Sequence, residues 1–344
     1  MNDSNTTPEE LVAPAPQAAE ATTADLLLRG TLLAVFASFC YTASIIALRA
    51  VAKGGLDWAA WVSCLKAVPT VAVALLVLGV QARRGTVVWP TRRMMIALIA
   101  SGIAMQILGN LGFQWGLALG GMTLTVPLSQ AALLISGAVL GVVAIGEHVS
   151  RRSSLAMSVL ILAICLLSID ADPMANAVPG QAGAAGQGGR GDGGVILLTV
   201  ALGLAAGIGW GQAGVVIRQV AKSGVSTAVT ILLLSSTGIL VLGGGVLVRQ
   251  GPGWFFEQTS AEEFWIAMVA GAFTSLAFFA LTMSLKHISI VRANLINASQ
   301  IALTSLAGFV LFDEPMTRLM IIGTGLTIGG LLLMDRPAEA DTSD

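Results

Sequence analysis

Residues 122–145 read MTLTVPLSQAALLISGAVLGVVAI. The stretch carries no charged residue and exceeds the ~20 apolar residues that a helix needs to cross a bilayer. It runs into Gly146 and Glu147 and then into Arg151 and Arg152, the basic flank expected at a membrane surface. Nine more stretches of this kind lie on either side, at 30–48, 58–80, 95–115, 153–170, 195–217, 226–248, 263–284, 289–312 and 316–334. Barrel strands alternate apolar and polar residues over about ten positions. These runs do not, so helices are expected, and the chain reads as an all-α membrane protein with ten transmembrane helices.

Composition agrees. Of 344 residues, 55% are hydrophobic and 11% charged, and mean hydropathy is +0.84. A soluble domain is about one quarter charged. The net charge of −1 gives no field that would draw nucleic acid. Cys40, Cys64 and Cys165 stand inside apolar runs and read as buried packing residues. His148 and His287 flank spans without cysteine partners, so no metal site and no cofactor is expected. Residues 1–29 open polar and acidic and lack the basic start of a secretory signal. They are expected to form a disordered cytoplasmic tail, with a second short tail at 335–344.

Lys and Arg counted in the loops set the orientation. With the N-terminus inside, the cytoplasmic side holds twelve: Arg29, Arg83, Arg84, Arg92, Arg93, Arg151, Arg152, Arg218, Lys222, Lys286, Arg292 and Arg336. The far side holds five: Arg49, Lys53, Arg190, Arg249 and Arg318. Both termini are therefore expected in the cytoplasm, and an even number of spans agrees, since it puts them on one side.

The chain repeats itself. ALRAVAKGG at 47–55 matches VIRQVAKSG at 216–224, so Arg49 falls opposite Arg218 and Tyr41 opposite Trp210. GEHVSRRSSLAMSVLILAICLLS at 146–168 resembles DEPMTRLMIIGTGLTIGGLLLMD at 313–335, which sets Glu147 against Glu314. The repeats are bounded at 30–170 and 195–334, and a Gly/Ala/Pro-rich linker at 171–194 joins them. Five is odd, so the second half must thread the membrane upside down. Two inverted five-helix repeats are the pattern of transporters that open to each side in turn.

With these features in view, the chain resembles the EamA type of the drug/metabolite transporter superfamily. The resemblance rests on two five-span halves, a basic residue inside the second span (Lys66, where the family usually has Arg), and the GE and DE pairs closing the fourth and ninth spans. It implies gradient-driven or proton-coupled movement of small metabolites by alternating access, often export of amino acids or related compounds, and a bacterial inner-membrane location.

Lys66 is the one charge deep in a span, roughly 12 Å from the outer end at 1.5 Å per residue. It reads as an anchor for an anionic substrate group or as a packing lysine held by carbonyls freed near Pro69. Gln106, Asn110 and Gln114 recur every four residues on one face of the third span and read as cavity lining or as interhelical glue. Gln130 in the fourth span and Asn294, Asn297 and Gln300 in the ninth read the same way. Tyr41 and Trp210 suit a gate or a stacking platform, or an interfacial belt. Gly203, Gly207 and Gly211 form a close-packing face, and glycine faces serve internal packing or a homodimer. Glu147 and Glu314 sit at span ends, where they cap helices or carry coupled protons. Competing readings are a lipid or amphiphile flippase and a non-transporting scaffold or sensor. No HExxH or Ser-His-Asp set points to an enzyme.

Overall fold

The structure is a computed structural model and describes residues 16–147, 149–169, 191–313 and 318–333. Among these residues it is all helical. In chain order the helices are α1 (Pro16–Ala50), α2 (Leu56–Arg83), α3 (Arg92–Ala104), a π-helical turn (Met105–Leu111), α4 (Gly112–Ile145), α5 (Arg151–Ile169) and α6 (Gly191–Lys222). Then come α7 (Thr227–Thr237), a second π-helical turn (Gly238–Gly243), α8 (Gly244–Gln250), α9 (Gly253–Gln258), α10 (Ala261–Ser284), α11 (Ile290–Asn297), α12 (Gln300–Phe312) and α13 (Arg318–Leu332).

Eight stretches are long and apolar enough to cross a membrane: 24–50, 56–83, 92–122, 124–145, 193–222, 227–250, 261–284 and 290–312. They coincide with eight of the ten expected spans. The other two segments form α5 and α13, of 19 and 15 residues, which pack on each other where Gly330 meets Leu160. The ten-span count is thus not reached by length and composition among the described residues. Large apolar side chains such as Leu76, Val143 and Leu197 are 70–79% exposed, which suits a surface bathed by lipid. Cys40 and Cys64 are buried as expected, but Cys165 is exposed on α5. An apolar solvent removes the need to hide it.

Helix α1 begins at Pro16, so the expected tail over 1–29 is helical from there on. Glu314, His148, the linker from 170 to 190 and the tail from 334 onward lie outside the described residues.

The third and fourth spans form a hairpin. α4 runs through both, and at Gly121 the backbone turns with φ 67° and ψ −172°, a region that essentially only glycine enters. α6 lies between the two arms. Along one arm, Cβ atoms at Gly112 and Gly120 would meet Leu202 and Thr199. Along the other, Gly203 meets Leu128, Gly207 meets the carbonyl of Ser129 and the methyl of Ala132, and Gly211 meets Ser136 and Gly137. The small-residue ladder expected on α6 is therefore spent inside the molecule.

α1 packs on α10 and on α11 and α12, much as α6 packs on the two arms of the hairpin. Ser284 donates to the carbonyl of Gly30 (2.8 Å) and Ser44 to that of Ala270 (2.9 Å), so α1 and α10 run antiparallel. Arg292 donates to Thr31 (3.2 Å) and Ser38 bonds Ser299 (2.6 Å), so α1 runs parallel to α11 and α12.

Candidate functional site

A cavity of about 130 Å³ opens among α1, α2, the third and fourth spans, α6, α7, α10 and the ninth span. One water needs only ~10–15 Å³ by this measure, so the space suits a small solute with its waters. Nine of the residues singled out from sequence line it: Tyr41, Lys66, Gln106, Asn110, Gln130, Trp210, Asn294, Asn297 and Gln300.

Lys66 is 6% exposed. Among the described residues its ammonium has neither a carboxylate nor a carbonyl partner, although Pro69 lies three residues on. Gly271 of α10 explains the tight setting, since any Cβ there would strike the backbone of Lys66 and the ring of Pro69. Lys66 is also the one charge among the residues lining the cavity. An isolated ammonium in a low-dielectric site costs several kcal/mol, so its natural complement is an anion delivered from outside.

The third span supplies an ordered chain of amides. Thr91 caps α3 by accepting from the N–H of Met94 (3.4 Å), and the span then widens into its π turn. Within that turn Asn110 donates to Gln106 Oε1 (2.6 Å), and Gln106 donates onward to the carbonyl of Leu234 (3.3 Å). Trp210 closes the chain by donating from Nε1 to Asn110 Oδ1 (3.3 Å). The loosened backbone leaves the Asn110 carbonyl to accept from Ser63 (3.1 Å). Gly109 and Gly238 leave room for Trp210 and Gln106. π turns recur at functional sites because they re-aim side chains in this way.

Gln114, expected on the same lining face, stands outside the cavity. It is 1% exposed and donates to the carbonyl of Leu48 (3.3 Å). α1 ends at Ala50, so that carbonyl lies in the last turn and has no donor within its own helix. The amide nitrogen is spent on capping α1.

Across the cavity the ninth span is interrupted. At Ala298 and Ser299 the bonding tightens, with Ser299 N–H donating to Ile296 (3.1 Å) and Ile301 N–H to Ala298 (3.0 Å). Asn297 and Gln300 flank the break. Asn297 Oδ1, Gln300 Nε2, Gln130 Oε1 and Thr70 Oγ1 are all buried without hydrogen-bond partners, and all four residues line the cavity. Buried polar atoms in native proteins are nearly always paired, and these four are placed to bond water or a solute in the cavity.

Sequence reasoning missed Ser44, Thr70, Phe113, Ser235, Thr274 and Phe278 in this lining. Thr70 lies four residues beyond Lys66 and could have been found by helical spacing. Ser44 and Thr274 bond each other (2.7 Å) across 230 residues, a relation no local pattern reveals.

Glu147 departs from its expected place beside water. Its carboxylate is only 8% exposed and pairs with Arg218 (3.2 Å), while its other oxygen accepts from the N–H of Ile290 (3.1 Å). The left-handed Gly146 (φ 69°, ψ 28°) ends α4 and turns the next residue inward.

Residues 197–335 match the model of the EamA-like transporter family, part of the drug/metabolite transporter superfamily. The resemblance read from the sequence is met there, and this family points to a membrane transporter of small molecules rather than to an enzyme. A solved structure titled "Crystal structure of protein" is similar at TM-score 0.62 and 17% identity, covering 88% of this chain and 95% of its own, which shows a shared fold. A sodium-calcium exchanger structure, NCX_Mj, aligns over 91% of this chain and 98% of its own at 13% identity, but its TM-score of 0.18 carries no argument. Among curated proteins none matches.

Proposed function

We propose that the chain is a secondary transporter that carries small metabolites with an anionic group, exporting amino acids or related compounds by alternating access. The observation that supports this reading is Lys66, buried and, among the described residues, without a counter-ion, in a cavity otherwise lined by amides, hydroxyls and apolar groups. The ligand's anion completes Lys66 and accepts from Gln300 Nε2. Its amino or hydroxyl donors meet Gln130 Oε1 and Asn297 Oδ1, two of the orphaned acceptors. The amide chain through Gln106 and Asn110 holds the Trp210 indole at the wall, and Tyr41 completes the aromatic face.

In this reading α5 and α13 are the fifth and tenth spans, each half has five, and the second half is inverted. The reciprocal seating of α6 in one helix pair and α1 in the other supports this, because a twofold axis in the membrane plane would exchange them. The termini then share the cytoplasmic side of a bacterial inner membrane, and the halves are 30–170 and 195–334.

The test is flux of labelled amino acids and related acids into proteoliposomes, after a thermal-shift screen of the same compounds. Lys66→Met lowers flux at least about tenfold, the effect of losing one charged hydrogen bond worth roughly 1.5–3 kcal/mol. Its Tm stays level or rises, since a lysine at a span centre costs about 2.5–3.5 kcal/mol. Undiminished flux in this variant would sink the anion reading.

A further inference from the structure

Among the described residues, ion pairs tie the first half of the chain to the second. Two are wet: Arg249 is 49% exposed opposite Asp57 (2.6 Å), and Lys53 is 43% exposed opposite Glu263. Exposed pairs contribute little to holding elements together. The third, Glu147 with Arg218, is 8% and 13% exposed. Each partner also binds the backbone of a residue that lines the cavity. Glu147 Oε2 accepts from the N–H of Ile290, the first residue of α11, and Arg218 Nη1 donates to the carbonyl of Leu285, just past the end of α10. Four elements, the ends of α4, α6 and α10 and the start of α11, are thus pinned at one end of the cavity by one carboxylate and one guanidinium.

We propose that the Glu147–Arg218 pair is the gate at this end of the cavity, made when the end is closed and parted when it opens. The inference rests on the transport reading above, since a gate serves only a space that must open. The geometry suits the task. Both groups are desolvated by closure, so the pair gains its full strength only when the four elements meet, and water entering on opening solvates each charge separately. Arg218 contributes a fork that reaches a carboxylate and a carbonyl at once, which lysine's single point of charge does not reproduce. Lys286, His287 and Arg292 lie nearby, on the α10–α11 connection and the start of α11.

The test reads access, not flux. In protein with Cys40, Cys64 and Cys165 replaced by alanine, Ala213→Cys places one thiol on the cavity wall. A membrane-impermeant maleimide is applied from the face that carries Glu147. Glu147→Gln and Arg218→Gln each speed labelling by about tenfold or more, as expected when one charge-assisted contact no longer biases a two-state equilibrium. The double variant is no faster than the quicker single one, because both remove the same contact. Arg218→Lys falls between, and it serves as the readout if a glutamine variant fails to fold. Labelling at the parent's rate in the folded variants, or single effects that multiply in the double, overturns the gate. No substrate enters the assay, so failure to find flux would count against the transport reading and leave this result standing.

Discussion

The fourth and ninth of the expected spans, 124–145 and 290–312, both border the cavity, yet they are built differently. The fourth carries Pro127 and still runs on as helix to Ile145. The ninth has neither proline nor glycine between Ile290 and Ala307, yet it breaks at Ala298 and Ser299. The fourth is gripped by α6, whose glycines bring backbone against backbone. The ninth meets α1 through longer side-chain contacts, Arg292 with Thr31 and Ser38 with Ser299. Firm packing keeps a helix straight past its proline. The ninth breaks where its side chains turn to other tasks, Ser299 to Ser38 and Asn297 and Gln300 to the cavity. One half thus offers a rigid wall and the other an adaptable one, with an amide facing the cavity from each.

That contrast can be broken most severely at Gly207. Gly207→Ala drives a methyl into the main chain around Ser129 and Ala132, and an overpacking cost at or above the top of about 1–3 kcal/mol is expected. A large fall in Tm or loss of monodisperse protein in detergent checks it, and an unchanged Tm would mean the fourth span is not gripped. Next come the facing amides. Asn297→Ala and Gln130→Ala should each weaken ligand binding by up to about tenfold, the value of one hydrogen bond of roughly 0.5–1.5 kcal/mol, with little change in Tm because each loses an orphaned acceptor. Isothermal titration with the ligand found by the thermal screen measures both, and a loss in one alone would assign recognition to that wall. Smallest is Ser299→Ala, which removes the bond to Ser38 and should cost about 0.6 kcal/mol, near the mean for interhelical hydrogen bonds in membranes. Hydrogen exchange at Ser299–Ile301 is expected to quicken while that at Gln130–Leu133 stays slow.

Much of this was legible in the sequence because bilayers impose length. Runs of apolar residues disclosed eight spans outright, and glycines four apart on α6 disclosed its tightest contact. The cavity was legible as far as its residues are rare in such surroundings: a lysine and a set of amides. What escaped depends on distant backbone. Gln114 has the right type and spacing, but the end of α1 claims it. Glu147 looks like a surface carboxylate until Arg218, 71 residues away, covers it. The ninth span's break has no proline or glycine to announce it, and the π turn in the third span has no local signal at all.

The reversal at Gly121 has a last consequence. The third and fourth spans join with almost no loop, so that hairpin has no slack along the membrane normal. Were the bilayer to thicken or thin, neither arm could slide against the other, and the hairpin would meet the mismatch as one body, by leaning. α6, wedged between the arms, would have to lean with it. Lipid chain length is therefore a mechanical input to this half of the protein, felt first where the hairpin borders the cavity.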